Sequence, residues 1–464
     1  MDLEALCARA RERAEEHGEP VVASYVWPGN GADPLERLGQ PQASGGFRFA
    51  WERPKDGLAI AGGGAALRFL GEGPRRFHDL AERVGTALGL AVTACEGEAP
   101  PTVPYALGGF AFFDEVSAAD WPGFGAAQLV VPEWMVLRTG GRSHTVVSVP
   151  VAAEDRPGER AAFLDKLVAR LRKAARRIES TGGRLSASRL SRGDEVEGHR
   201  HWFEIVTGAL EKIRAGRLSK VVLARAVELF GDVPRAPQAV LRALRSAYPD
   251  CFSFIVDPGA GQMFLGATPE RLARLEGGAL QLGAMAGTTP RGDRPDADEA
   301  LGRRLMSSPK EREEHAIVVE AILEAVRPLG GEIELPDQPR LVKLTNVQHL
   351  YTPITVRAAE PPSLLPLLAR LHPTPAVGGH PRAEALEMIQ AVERFDRGWY
   401  AGPVGWLNAR GEGEFAVALR SATLSEGRAR LFTGAGIVAD SDPEMEYFET
   451  QLKLQPMLSA LLHE

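Results

Sequence analysis

The run Arg430 to Leu454, RLFTGAGIVADSDPEMEYFETQLKL, constrains the chain most. A strand-like piece, Arg430 to Thr433, enters a glycine turn, Gly434-Ala435-Gly436. An acidic loop with Pro443 follows, then a helical segment carrying Glu444, Glu446 and Glu449. Glu446 and Glu449 are three apart and share one helix face, and Leu452 continues the stripe. Like charges so placed repel unless a cation or a proton lies between them. A second pair, Glu311 and Glu314, stands near the start of the helix expected over Lys310 to Val326, whose buried stripe is Ile317, Val318, Ala321 and Ile322. Both pairs flank apolar residues, so they are expected to face inward together. Four carboxylates without a cysteine or histidine partner select a hard cation, Mg²⁺ above all, which keeps some waters and takes its remaining oxygens from a substrate. His315 follows Glu314 directly, points elsewhere on a helix, and reads as a structural histidine.

Other chemistries fail on context. Gly434 to Ala439 fits G-x-G-x-x-A, but a dinucleotide loop must open directly into a helix, and Asp440-Ser441-Asp442-Pro443 is turn chemistry. A net charge of -7 argues against a general nucleic-acid binder, while leaving room for an anionic small substrate in a local basic site. Cys7, Cys95 and Cys251 are isolated and form no C-x-x-C, so neither zinc nor a disulfide framework is indicated. The setting expected is the reducing cytoplasm, with no membrane association. The first twenty residues read as a charged amphipathic helix rather than a signal peptide. With 464 residues, the chain could hold one large or two ordinary domains.

Along the chain, helices are expected at Leu3 to His17, Arg75 to Leu88 and Ala161 to Arg177. Strands are expected at Val21 to Val26, Gly46 to Trp51, Gly108 to Phe113, Leu129 to Leu137 and Ser143 to Val149, with a glycine-broken apolar run at Leu58 to Leu70. The polar stretch Ser180 to Gly198 reads as a linker. It divides a leading part, 1–190, without recognisable chemistry from a signal-dense part, 196–464. There Trp202 to Ala215 is a helix stopped by Gly216, and Leu218 to Arg225 a strand with Lys220 near its start. Cys251 to Val256 and Met263 to Leu265 form a hairpin. Gly266 to Leu272 is a turn with Glu270 just past Pro269, and Ala286 to Gly292 a second turn after the run Leu280 to Met285. Leu341 to Leu344 leads to Val347-Gln348-His349-Leu350. Leu364 to Arg370 is a helix. Gly402 to Trp406, Phe415 to Arg420 and Ala429 to Phe432 are strands. Hairpins mix with helices without strict alternation, which points to an α+β fold with antiparallel sheet.

The motifs SKVVLAR, GATPERL, AGTTPRG, EEHAIVV, VQHL, LHPTPAVGG, ALRSA and GAGIVADSDPE-x-E-x-x-ET occur in this order from about Trp202 to Met457, more than half the chain. So ordered, they resemble the chorismate-utilising enzymes: isochorismate, salicylate, anthranilate and aminodeoxychorismate synthases. The leading part is similar to the variable region of isochorismate synthases. The resemblance implies an anthranilate-synthase-like α+β fold, with two antiparallel sheets face to face, helices outside, the leading part integrated, and the active site in a cleft. It implies Mg²⁺ at Glu314 and Glu449, with Glu311 and Glu446 in the outer shell. Lys220 matches the lysine that activates water for attack at C2 of chorismate, where aminating members generally have glutamine. Ala286 stands where the aminodeoxychorismate branch has a nucleophilic lysine. No glutaminase-type cysteine occurs, and no amidotransferase subunit is expected.

The implied reaction is isomerisation of chorismate to isochorismate, with salicylate synthase, which goes on to eliminate pyruvate, as the alternative. A non-catalytic chorismate-binding protein is a rival of another class, against which the intact motif residues speak. Lys220 would be the general base and Glu270 the general acid toward the departing 4-hydroxyl. A lysine at its ordinary pKa leaves only about one molecule in 10³ to 10⁴ neutral at pH 7, so that role needs burial or neighbouring cations, and Glu270 needs the opposite shift. Arg420 matches the arginine that forks onto the side-chain carboxylate. Tyr400 and the backbone of Gly434, Ala435 and Gly436 are further expected donors, and Gly287, Thr288 and His349 match residues that line the substrate pocket. Members of this type are often monomeric, so a monomer or weak homodimer is expected. The product would serve menaquinone or siderophore biosynthesis.

Overall fold

The computed structural model of the protein describes residues 2–39, 46–97, 102–177, 190–195, 198–233, 237–358, 360 and 362–462. Among the described residues two large sheets carry the architecture, one of thirteen strands and one of ten. Among the described residues every strand pairing is antiparallel except that of Val21–Pro28 with Val92–Cys95. The larger sheet runs from Leu190–Glu195 through Lys220–Gly231, Arg428–Ile437, Ser421–Ser425, Gln262–Thr268 and Phe252–Asp257. It continues into strands of the leading part, beginning with Arg48–Arg53. The smaller sheet does the same. Val347–Arg357, Ala279–Pro290, Arg271–Glu276, Gly413–Val417 and Pro403–Asn408 lead into Tyr105–Phe110.

The core has two layers. Between the sheets lie Trp51, Phe110, Leu129, Phe254, Phe264, Leu282, Phe415 and Phe432. On the outer face of the larger sheet, Val149, Ile255 and Leu431 pack under helices Leu3–His17, Pro157–Arg177, Pro237–Ala247 and Pro443–Leu462 through Leu6, Leu164, Leu241 and Leu454. Strands covered on both faces lose the polar alternation of a solvent-facing strand: Tyr105–Phe110, Phe252–Asp257 and Pro403–Asn408 are buried at every position. Two antiparallel sheets face to face with helices outside is the expected α+β arrangement.

Several local expectations fail for identifiable reasons. Gly434-Ala435-Gly436 is no turn but the extended second half of strand Arg428–Ile437. Ala286 to Pro290 likewise lies inside strand Ala279–Pro290. The pairing slips between Ala286 and Thr288, where Gly287 at φ 78° takes up the extra residue as a β-bulge and the ladder resumes at Thr288–His349. The run Leu129 to Leu137 is two strands, Ala127–Val131 and Trp134–Thr139, in different sheets. The strand expected to reach Arg420 stops at Val417, and Ser421–Ser425 is a separate strand beyond a corner. In the expected linker, Leu190–Glu195 pairs with Lys220–Gly231, while residues 180–189 and 196–197 lie outside the described residues.

Candidate active site

The cavity is built on strand Lys220–Gly231. Side chains two apart share a strand face, so Lys220 and Val222 point the same way. On the neighbouring strand Gly436 pairs with Val222 and Gly434 with Ala224. The G-x-G spacing is therefore one face of a strand. Both glycines line the cavity with Lys220, whereas Ala435 is buried on the opposite face and does not line it. A Cβ on Gly436 would sit 2.6 Å from Glu314 Oε1 and 3.1 Å from Lys220 Cε, and one on Gly434 would sit 3.2 Å from Tyr400 Oη. Gly436→Ala is therefore expected to lower turnover about 10- to 100-fold through misplacement of these groups. The melting temperature should stay close to the parent's, and steady-state kinetics beside a thermal melt checks both.

The opposite wall comes from the smaller sheet. Gly287, Thr288 and His349 line the cavity, and the Thr288 hydroxyl lies 3.1 Å from His349 Nδ1. That nitrogen is also 3.3 Å from the Gly287 carbonyl. Burial, followed by Arg420 and Lys453, pushes the His349 pKa down to about 3, so the ring is neutral, and Nε2 is buried without a partner among the described residues. Glu270 sits at the corner between Gln262–Thr268 and Arg271–Glu276, 6% exposed. Burial raises its carboxyl to about 7 against the opposing pull of Lys220, Lys453 and Arg420. Its environment is the one an acid needs to keep its proton near neutrality.

The two helical carboxylate pairs do converge here. Helix Pro309–Val326 starts at Ser308, whose hydroxyl accepts the Glu311 N–H at 3.4 Å. Asp442 caps helix Pro443–Leu462 by accepting the N–H groups of Glu444 and Met445. Glu314 and Glu449 line the cavity, and Glu311 and Glu446 are not among its lining residues. Lys220 Nζ is 2.8 Å from Glu314, Lys453 Nζ 2.6 Å from Glu449, and Lys310 Nζ 3.1 Å from Glu446. Glu311 accepts the Thr288 N–H at 3.1 Å. Burial and then Glu314 push Glu311 up to about 7. Burial and then Glu449 raise Glu446. Burial also works upward on Glu314, but Lys220 foremost, with Lys453 and Lys310, outweighs it and leaves that carboxyl below its ordinary value. Among the described residues no three histidine, cysteine or acidic groups are already gathered as ligands. The donor set, all carboxylate oxygen, under mutual repulsion and screened by ammonium groups, nonetheless suits a hard cation. His315 lies off this face, as expected: its Nε2 is 2.8 Å from the Thr352 hydroxyl, and burial lowers it to about 4.

Arg420 and Tyr400 close the cavity. Arg420 is held at φ 50° and Ala401, also a lining residue, at φ 61°. Non-glycine residues seldom adopt such angles, and their clustering here fits backbone strain kept for a site. Among the described residues no carboxylate stands within ion-pair distance of Arg420, a residue only 9% exposed that lines the cavity. Tyr400 stacks on Phe432 with ring centroids 5.2 Å apart, and burial raises its hydroxyl pKa.

Two charged lining residues escaped sequence reasoning. Lys453 donates to the Gly434 carbonyl at 3.0 Å and pairs with Glu449. Its signal was the i, i+4 step from Glu449, whereas the stripe was followed through Leu452 at i+3. Arg397 holds Glu393, the Val377 carbonyl at 2.9 Å and the Val222 carbonyl at 2.8 Å, and so ties the wall near Lys220 to the loop after Pro375. Only the step to Glu393 is local; the two carbonyls that make it a clamp are distant in sequence.

Residues 8–462 match the family described as chorismate binding enzyme. The chain belongs to that family. It is 40% identical over 462 residues to a protein of Pseudomonas aeruginosa named salicylate biosynthesis isochorismate synthase, covering 98% of this chain and 93% of that one. The solved structure of MenF, the menaquinone-specific isochorismate synthase from Escherichia coli, superposes with a TM-score of 0.78 at 26% identity, over 98% of this chain and 100% of that one. Anthranilate synthase component I from Streptococcus pneumoniae shares the fold, with a TM-score of 0.69 at 20% identity over 92% and 98% of the two chains. The expected anthranilate-synthase-like architecture is therefore present in this chorismate-binding enzyme. Among its described residues no helix is long and apolar enough to cross a membrane.

Proposed function

We propose that the chain is an isochorismate synthase: it adds water at C2 of chorismate and releases the C4 hydroxyl as water. The observation that carries this reading is a single cavity holding a basic nitrogen, Lys220, an acid raised to about 7, Glu270, and the unpaired guanidinium of Arg420. In its uncharged form Lys220 Nζ takes a proton from the attacking water, and Glu270 gives its proton to the hydroxyl leaving C4, which departs as water. Arg420 grips the side-chain carboxylate, with Tyr400 as a second donor. Lys453, at the mouth of the acidic pair, is placed to meet the other carboxylate. His349, neutral, offers its free Nε2 as an acceptor from a substrate hydroxyl.

Mg²⁺ is the cation this reading assigns to Glu314 and Glu449, backed by Glu311 and Glu446. Bound there it would offset the repulsion between these carboxylates and a dianionic substrate, and withdraw charge from the ring carboxylate. The proposal extends to a cytoplasmic enzyme, monomeric or a weak homodimer, without an amidotransferase subunit. The region 196–464 would supply the chemistry and 1–190 the support. Incubation with chorismate, with and without Mg²⁺, tests it. Isochorismate formed only with the metal supports the reading. Salicylate and pyruvate released at the same rate would make the chain a salicylate synthase, and activity untouched by thorough chelation would remove the metal site.

A further inference from the structure

The acidic cluster holds four carboxylates, on Glu311, Glu314, Glu446 and Glu449, and meets three ammonium groups, on Lys220, Lys310 and Lys453. Two of these lysines face the cavity and have work there. Lys310 does not line it. Its side chain is about a third exposed, and its Nζ reaches inward to Glu446, whose side chain is only 5% exposed. Lys310 also precedes Glu311 at the start of its helix, where a cation meets the unfavourable end of the helix dipole. A lysine placed against the dipole, ion-paired to a buried carboxylate and outside the cavity lining, needs a reason.

We propose that Lys310 is a positioning residue that sets the cation affinity of the substrate-free enzyme: it stabilises the empty acidic cluster and competes, as a tethered positive charge, with the divalent ion. This rests on the Mg²⁺ reading above. With every group ionised, the four carboxylates and three ammonium groups leave one net negative charge with Lys310 and two without it; partial protonation of Glu311 and Glu446 lowers both totals but not the difference of one charge. Losing the lysine therefore makes the empty cluster less stable and the same cluster a stronger cation site, two effects of opposite sign. A merely structural role would weaken both properties together.

The test is calorimetric titration of Mg²⁺ into the metal-free full chain, with thermal melts in chelator and in saturating Mg²⁺, for the parent, Lys310→Met and Lys310→Arg. Lys310→Met is expected to bind Mg²⁺ at least about fivefold more tightly, given the strength of a unit charge near the site. It should melt lower than the parent in chelator, and the gap should narrow in saturating Mg²⁺. Lys310→Arg should restore both values. Equal or weaker binding by Lys310→Met overturns the inference on Lys310 and leaves the metal reading standing. A parent chain that binds no divalent cation overturns both.

Discussion

Lys220→Ala should lower turnover of chorismate about 10³-fold or more, the range that removal of a positioned general base produces. Lys220 is 1% exposed and its ammonium is 2.8 Å from Glu314, so the substitution removes both a base and the partner of a buried carboxylate. Some loss of stability is expected with it, because one half of a buried pair is left behind. The two effects separate by measurement. Substrate affinity should stay within a few-fold of the parent, since Arg420 and Tyr400 remain, while the first-order rate at saturating chorismate collapses. A variant that binds chorismate and turns it over at the parental rate would remove Lys220 from the chemistry altogether.

Glu270→Gln should also lose about 10²- to 10⁴-fold in rate, with two signatures that only a proton-holding acid produces. The parental rate at saturating substrate should fall as pH rises past about 7, where Glu270 loses its proton, and the residual rate of the variant should show no such limb. The stability effect runs the other way. The folded pKa, about 7, lies above the ordinary value of 4.5. Below about 4.5 the carboxyl is neutral in both the folded and the unfolded chain. Between the two values the unfolded chain gives up its proton first, so the folded state loses ground, and the loss is complete once pH has passed about 7. That shift corresponds to a penalty of up to about 3 kcal/mol. Glutamine carries no such penalty. Glu270→Gln should therefore match the parent near pH 4.5 and melt higher than it at pH 8. A variant less stable than the parent at pH 8 would contradict the buried, neutral acid.

What the sequence disclosed and what it concealed divide along the range of the interactions. Helix Leu3–His17 was legible residue by residue, because Asp2 caps it and Gly18 ends it at φ 74°. The carboxylate pairs were legible because helical spacing places them. Glycine misled at Gly266, which lies in strand Gln262–Thr268 and not in the turn expected there, and again at Gly434–Gly436 and Ala286–Gly292. In the last two places the residue is small to make room for something across the cavity or to absorb a bulge, which local turn chemistry does not anticipate. The corner at Arg420 was hidden for a related reason: a positive φ at an arginine is maintained by its surroundings, where the Ala267 N–H donates to its carbonyl. Lys453 and Arg397 each have one partner four residues away, but the carbonyls of Gly434, Val377 and Val222 that fix them at the cavity come near only in the folded chain.

The leading part and the motif-bearing part share both sheets, joined where Arg48–Arg53 meets Phe252–Asp257 and where Tyr105–Phe110 meets Pro403–Asn408. Cutting the chain between them would bare a row of unpaired amides in each sheet, and such rims recruit foreign chains. The amino-terminal half is consequently no detachable accessory: lineages could vary its surface loops freely, but could not discard it without exposing two sticky borders beside the reaction chamber.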